Sequence, residues 1–193
     1  SGRNIDIDFD STRPPHIGVY SSSIDNLASP DMAAAVHHAC AVASEAGAIL
    51  TTIPPSHEIE EAREAHAPIQ DYEARLALGY ERQNFPQKLS ERLRDHLEKS
   101  ASIDAETYDA ARRTANKARK ACRPLFEECD VIILPSAPGS APFSLETTGE
   151  SVFNRVWTLM GLPAINIPGL VDKAGMPLGI QMLAAFGQDK KLL

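Results

Sequence analysis

At 193 residues and 43% hydrophobic, the chain can bury one substantial core, a sheet layer with a helical layer, so a single domain over 1–193 is expected. A net charge of −7 offers no attraction to a phosphate backbone, which excludes nucleic acid as an expected partner. No apolar run nears the roughly 18 residues that span a bilayer, and Ser1-Gly2-Arg3-Asn4-Ile5-Asp6 lacks a signal peptide's apolar centre, so no membrane role is expected.

After a polar lead-in, Ile17-Gly18-Val19-Tyr20 reads as a buried strand. Ser29-Pro30-Asp31 then opens a helix, with Ser29 as N-cap, Pro30 at the first helical position and Asp31 favourable to the macrodipole. Met32, Val36, Cys40 and Ala43 share one face, Gly47 supplies the C-terminal cap, and 48–53 follows as a strand. This is a βαβ unit, whose crossover is expected to be right-handed. From 56 to 128 the pattern predicts four helices, at 56–66, 69–83, 87–99 and 103–128, broken at Pro68, Asn84-Phe85-Pro86 and Ser100-Ala101-Ser102. The last has Ser102 as cap, a narrow seam of small residues through Ala111 and Ala118, and a bend or end near Pro124. Val131-Ile132-Ile133-Leu134 is apolar on both faces, as a covered central strand is. A Pro, Ser and Gly-rich loop from 135 to 150 is too long for a simple connection and reads as functional or partner-facing. A helix at 151–160 ends at Gly161, and strands at 164–170 and 177–184 form an antiparallel hairpin.

Chemistry-bearing residues are sparse. Ser21-Ser22-Ser23 has no flanking glycines and reads as a solvated turn, and Ser136 and Ser140 have no obvious base nearby. The seven lysines lie on polar helix faces, in a turn or at the chain end, so none is expected to be buried as a neutral base. His37 and His38 point about 100° apart on a helix and cannot act as a pair; one is expected at the core edge and the other in water. His57, Glu61 and His66 do not form a metal motif, and Glu58, Glu60, Glu61 and Glu64 read as a solvated face. The basic cluster Arg112, Arg113, Lys117, Arg119, Lys120 and Arg123 sits late in a helix, where cations are favourable without a partner. Cys40, Cys122 and Cys129 contain no Cys-x-x-Cys pair and are odd in number, so a reducing, cytoplasmic setting is expected.

One stretch carries a resemblance. Phe153-Asn154-Arg155-Val156-Trp157-Thr158-Leu159-Met160-Gly161-Leu162-Pro163-Ala164 and Gly175-Met176-Pro177-Leu178-Gly179 follow Asp130-Val131-Ile132-Ile133-Leu134-Pro135-Ser136-Ala137-Pro138. That order resembles the closing segment of the amidase signature family of amide hydrolases, with Ser136 where Thr is more usual. The resemblance implies an α/β fold, a mixed β-sheet flanked by α-helices, of which this chain is the C-terminal part. Its regions would be a βαβ unit at 17–53, a helical layer at 56–128, and a strand, loop and closing hairpin at 129–193. It implies a parent that cleaves carboxylic amides to acid and ammonia or amine by a Ser-cisSer-Lys mechanism, with no metal or organic cofactor. The family's Gly-Gly-Ser-Ser-Gly-Gly-like loop, cis-peptide serine and base lysine have no counterpart in this sequence, so no catalytic residue is assigned and the chain alone is expected to be inactive.

By the same resemblance, Ser136, Ala137, Asn154 and Trp157 would stand near the acyl-binding side of the pocket, although a lone tryptophan on a short helix also packs cores. Expected partners are an N-terminal catalytic portion of the same protein, a small-molecule amide and, through uncovered sheet edges, a second copy. Ser1-Gly2 in place of Met, and a last segment that reads as the first turn of a helix, lead us to expect a piece of a longer chain. The rival readings are a stand-alone, non-catalytic binding or scaffold module, and an independent hydrolase with Ser136 beside His37 or His38.

Overall fold

The computed structural model describes residues 13–193, so the readings made on the lead-in from Ser1 lie outside the described residues. In chain order the elements are β1 (His16–Tyr20), α1 (Pro30–Glu45), β2 (Ile49–Ile53), α2 (His57–Ala77), α3 (Gly79–Asn84), α4 (Glu91–Lys99), α5 (Ala105–Ala121), β3 (Val131–Pro135), α6 (Val152–Met160), β4 (Ala164–Val171), β5 (Pro177–Leu183) and α7 (Asp189–Leu192), with short 3-10 turns between some of them. They form two compact units. One holds the chain up to Ser56 together with Ala121–Leu193, and the other holds His57–Lys120.

The first unit is built on a five-stranded mixed sheet in the order β2-β1-β3-β5-β4. β1 lies parallel to β2 and β3, with His16 opposite Ile49 and Ile17 opposite Val131. β5 runs antiparallel to both β3 and β4. Every residue of β3 is buried, which is why its sequence is apolar without alternation. One face carries Ile17, Val131, Ile133 and Ile180, against which Val36, Ala39, Cys40 and Ala43 of α1 pack. Tyr20 and Gln181 have the opposite parity in their strands and reach α6 on the other face. Tyr20 meets Trp157 edge to face at 5.0 Å, and the Gln181 amide donates to the Phe153 carbonyl at 3.3 Å. Phe153 and Trp157 are 1% exposed, and full burial of such a side chain contributes roughly 1.5–3 kcal/mol.

Local signals hold this unit in register. Ser29 caps α1 by accepting from the Met32 N–H at 3.2 Å, and Gly47 takes the left-handed conformation, φ 96°, just past its end. Asp130 gathers the start of the sheet: its carboxylate pairs with Arg13, accepts from the His16 N–H at 3.0 Å and lies 3.5 Å from Lys191 of α7. β4 is an edge strand, with a register shift between Ile167 and Leu170 at Pro168-Gly169. Proline, lacking an N–H, suits an edge. The βαβ unit, central strand and hairpin stand where the sequence reading has them.

The helical unit departs from that reading. Helix α2 runs through Pro68 instead of breaking there. Ile59, Ala62, Ala65 and Ile69 are buried on both sides of the proline, and this continuous face offsets a local penalty of about 3 kcal/mol. The break comes at Leu78, before α3. Pro86–Lys88 is a 3-10 turn, and α4 begins after Ser90, whose hydroxyl accepts from the Leu93 N–H at 3.3 Å. α5 is capped by Asp104, which accepts from the Thr107 N–H at 2.8 Å, not by Ser102, whose hydroxyl donates to the Lys99 carbonyl at 2.9 Å. It ends at Ala121, short of 128, because Pro124 opens another 3-10 turn. Its buried seam is Ala111, Ala115 and Ala118.

Candidate functional site

The loop between β3 and α6 lies against the start of β5 and borders a half-open cavity of about 370 Å³, at the small end of the usual range for ligand pockets. Its wall is 136–142 and 148–150 of the loop, Asn166 and Pro168 of β4, and 177–179 at the start of β5. Backbone and side chain pin the loop at several points, among them the Ala141 N–H donating to the Pro177 carbonyl at 3.1 Å. The Ser136 hydroxyl donates to the Gly179 carbonyl at 2.6 Å, and the Asn154 amide donates to the Ser136 carbonyl at 3.0 Å. The Ser29 N–H donates to the Pro138 carbonyl at 2.6 Å, joining the loop to the start of α1. The Ser140 hydroxyl donates to Asp172 Oδ2 at 2.6 Å, a length typical of a charge-assisted bond.

Asp172 is the first residue of the hairpin turn, and its other oxygen accepts from the Ala174 and Met176 N–H groups, both at 2.8 Å. The Ser140 hydroxyl foremost, and then the turn N–H groups, hold the Asp172 carboxyl below the usual carboxylate range. Held by the Ser140 hydroxyl on one oxygen and two turn N–H groups on the other, Asp172 ties the loop to the hairpin turn. The Ser136 hydroxyl is likewise engaged, as donor of a hydrogen bond to a backbone carbonyl. His37 and His38 are both exposed and neither lines this cavity, and His38 borders the α1 face of the sheet core beside Ile17, Ala39 and Ile133, the core-edge place expected for one of the two. All seven lysines are exposed, as expected.

The four residues singled out from sequence separate here. Ser136 and Ala137 line the cavity. Asn154 supports it from behind, through the Ser136 carbonyl. Trp157 does not line it; the ring is buried against Tyr20, and its indole N–H is buried with no hydrogen-bond partner among the described residues. Sequence reasoning missed Asn166, Asp172, Glu150 and Gly179. Asp172 was legible as the Asp of an Asp-x-x-Gly turn. Asn166 was not, because its place depends on Gly179: a Cβ there would meet the Asn166 amide, so the missing side chain is the slot that amide fills. Among the described residues no three His, Cys, Asp or Glu side chains converge as metal ligands do, and His57 pairs with Glu61 at 3.3 Å along α2. No helix among them is long and apolar enough to cross a membrane.

Known proteins share this architecture. The chain is 34% identical over 103 residues to a glutamyl-tRNA(Gln) amidotransferase subunit of Psychrobacter sp. (strain PRwf-1), covering 48% of this chain and 20% of that one. A solved structure described as an amidase superposes with a TM-score of 0.84 at 20% identity over 96% of this chain and 45% of its own. An inhibitor-bound structure of a vestigial complex, described as revealing the origins of an s-triazine catabolic enzyme, superposes at 0.79 with 22% identity, covering 92% and 40%. At such identities the structures establish the fold. The chain thus spans about a fifth of the length of the curated relatives it matches. The sequence profile of the amidase family matches residues 8–193, nearly the whole chain, and with the β3 loop, the Gly-Leu-Pro-Ala turn and the closing hairpin in the order described, the chain belongs to the amidase family.

Proposed function

We propose that this chain forms the acyl-side wall of an amide-hydrolysing site, acting on carboxylic amides to give an acid and ammonia or amine. The nucleophile and base of a Ser-cisSer-Lys mechanism come from residues outside 1–193, on the same polypeptide or on a partner. The observation that carries the reading is the cavity bordered by Ser136, Ala137 and Gly179, whose two serines donate to the Gly179 carbonyl and the Asp172 carboxylate, with no Lys or His among the described residues that line it. In this reading Ser136 and Ala137 face the acyl group, Asn154 fixes the loop that presents them, and Trp157 anchors α6 from the core side. Three thiols, with no disulfide among the described residues, suit a reducing cytoplasmic setting. Relatives that belong to multi-chain amidotransferases support a partner protein for the working enzyme.

Incubation of the purified chain with butyramide, with ammonia release as readout, is expected to show no turnover. Turnover that disappears in Ser136→Ala or Ser140→Ala, and so is not a contaminant's, would overturn the assignment of the chemistry elsewhere. The alternative of a stand-alone binding module draws on the five-stranded unit having a continuous sheet and its own core. Amide binding at the cavity, followed by turnover once a Ser-cisSer-Lys portion is supplied, separates the two.

A further inference from the structure

We propose that the cavity accepts amides whose acyl part carries no negative charge and rejects those with a carboxylate, an inference that rests on reading the cavity as the acyl-side wall. Among the described residues its wall contains one charged side chain, Glu150, and no Lys, Arg or His. A second carboxylate stands directly behind it, since Asp172 holds the hydroxyl of the lining residue Ser140 at 2.6 Å. Arg155 reaches Glu150 from outside the wall, at 3.7 Å, but both side chains are well exposed and such a pair is weak. Among the described residues of the wall, the side-chain donors left for an anion are the Asn166 amide and the Thr148 hydroxyl. Pro138, Pro142, Pro168 and Pro177 have no N–H, and the Ser136 and Ser140 hydroxyls already donate to Gly179 and Asp172. A carboxylate entering here would leave water with no cation to replace it and only the two neutral side-chain donors of Asn166 and Thr148, and would face like charge. An uncharged acyl group meets the methyls of Ala137 and Ala141, the Leu178 side chain and the proline rings.

Butyramide and succinamate test this cleanly, because the second replaces the terminal methyl of the first with a carboxylate. Each is titrated into the isotopically labelled chain, following the backbone amides of Ser136, Ala137 and Gly179 by NMR. The expected result is saturable shifts at these amides with butyramide, roughly tenfold weaker binding of succinamate, and a narrowed gap in Glu150→Gln. Succinamate binding as tightly as butyramide would overturn the charge selectivity while leaving the acyl-wall reading intact. A gap unchanged in Glu150→Gln would overturn its assignment to charge. Shifts with neither compound would overturn the acyl-wall reading itself.

Discussion

Two glycines of the sheet show how the same missing side chain carries different weight by location. A Cβ on Gly18 would collide with Ile53 and crowd Cys129, both buried and with no room to retreat. Gly18→Ala is therefore expected to destabilise the chain by about 1–3 kcal/mol in urea unfolding. A Cβ on Gly179 meets the tip of the exposed Asn166 side chain, which can swing aside. Gly179→Ala should change stability by no more than about 0.5 kcal/mol, while weakening butyramide binding, because the wall of the cavity moves. Asp172 adds a pH dependence with a definite sign. Its folded pKa is depressed, so its contribution is present in full above the unfolded value of about 3.9 and is lost as pH falls through the lower folded value. Acid unfolding followed by circular dichroism should show a shallower limb below that point in Asp172→Asn than in the parent chain.

Among the elements, α2 and β4 each break a local rule. Pro68 sits inside α2, where its ring and missing N–H cost helix stability, and the apolar face either side of it holds the helix together. Pro68→Ala is expected to raise the thermal midpoint, by an amount equivalent to about 1–3 kcal/mol. Among the described residues β4 has no strand on its outer side, and Ile167 and Val171 are 39% and 64% exposed. An edge with exposed apolar side chains invites pairing with another strand. The chain is expected to self-associate in sedimentation velocity, and Val171→Lys should shift it toward monomer by placing a charge on that edge.

Over the whole molecule, the two units differ in what fills them. The sheet unit buries Trp157, Phe153, Ile132 and Met160, whereas the helical unit relies largely on alanines, with Ile59, Ile69 and Leu97 as its larger buried side chains. Small side chains bury less apolar area per residue and stabilise less. Trp157 is the only tryptophan in the chain, so its fluorescence reports on the sheet unit alone. In urea the far-ultraviolet helix signal is expected to decay at a lower midpoint than the tryptophan emission; coincident curves would show a single cooperative transition instead.

Elements whose causes are local or periodic are readable from the amino-acid order: the βαβ unit, the all-apolar β3, the Ser29 cap, the hairpin, and the ordered motifs that mark the amidase family. Such features need only neighbours along the chain or a regular spacing to be read. The resemblance to the family grouped Ser136, Ala137, Asn154 and Trp157, of which Ser136 and Ala137 line the cavity. Tertiary structure alone decided that α2 survives Pro68, since only packing reveals a face that continues across the proline. It alone joined Ser140 to Asp172, 32 positions apart, and put Asn166 over Gly179 across the hairpin. The cavity depends on those distant pairings, and local propensity carries no record of which side chains a fold brings face to face.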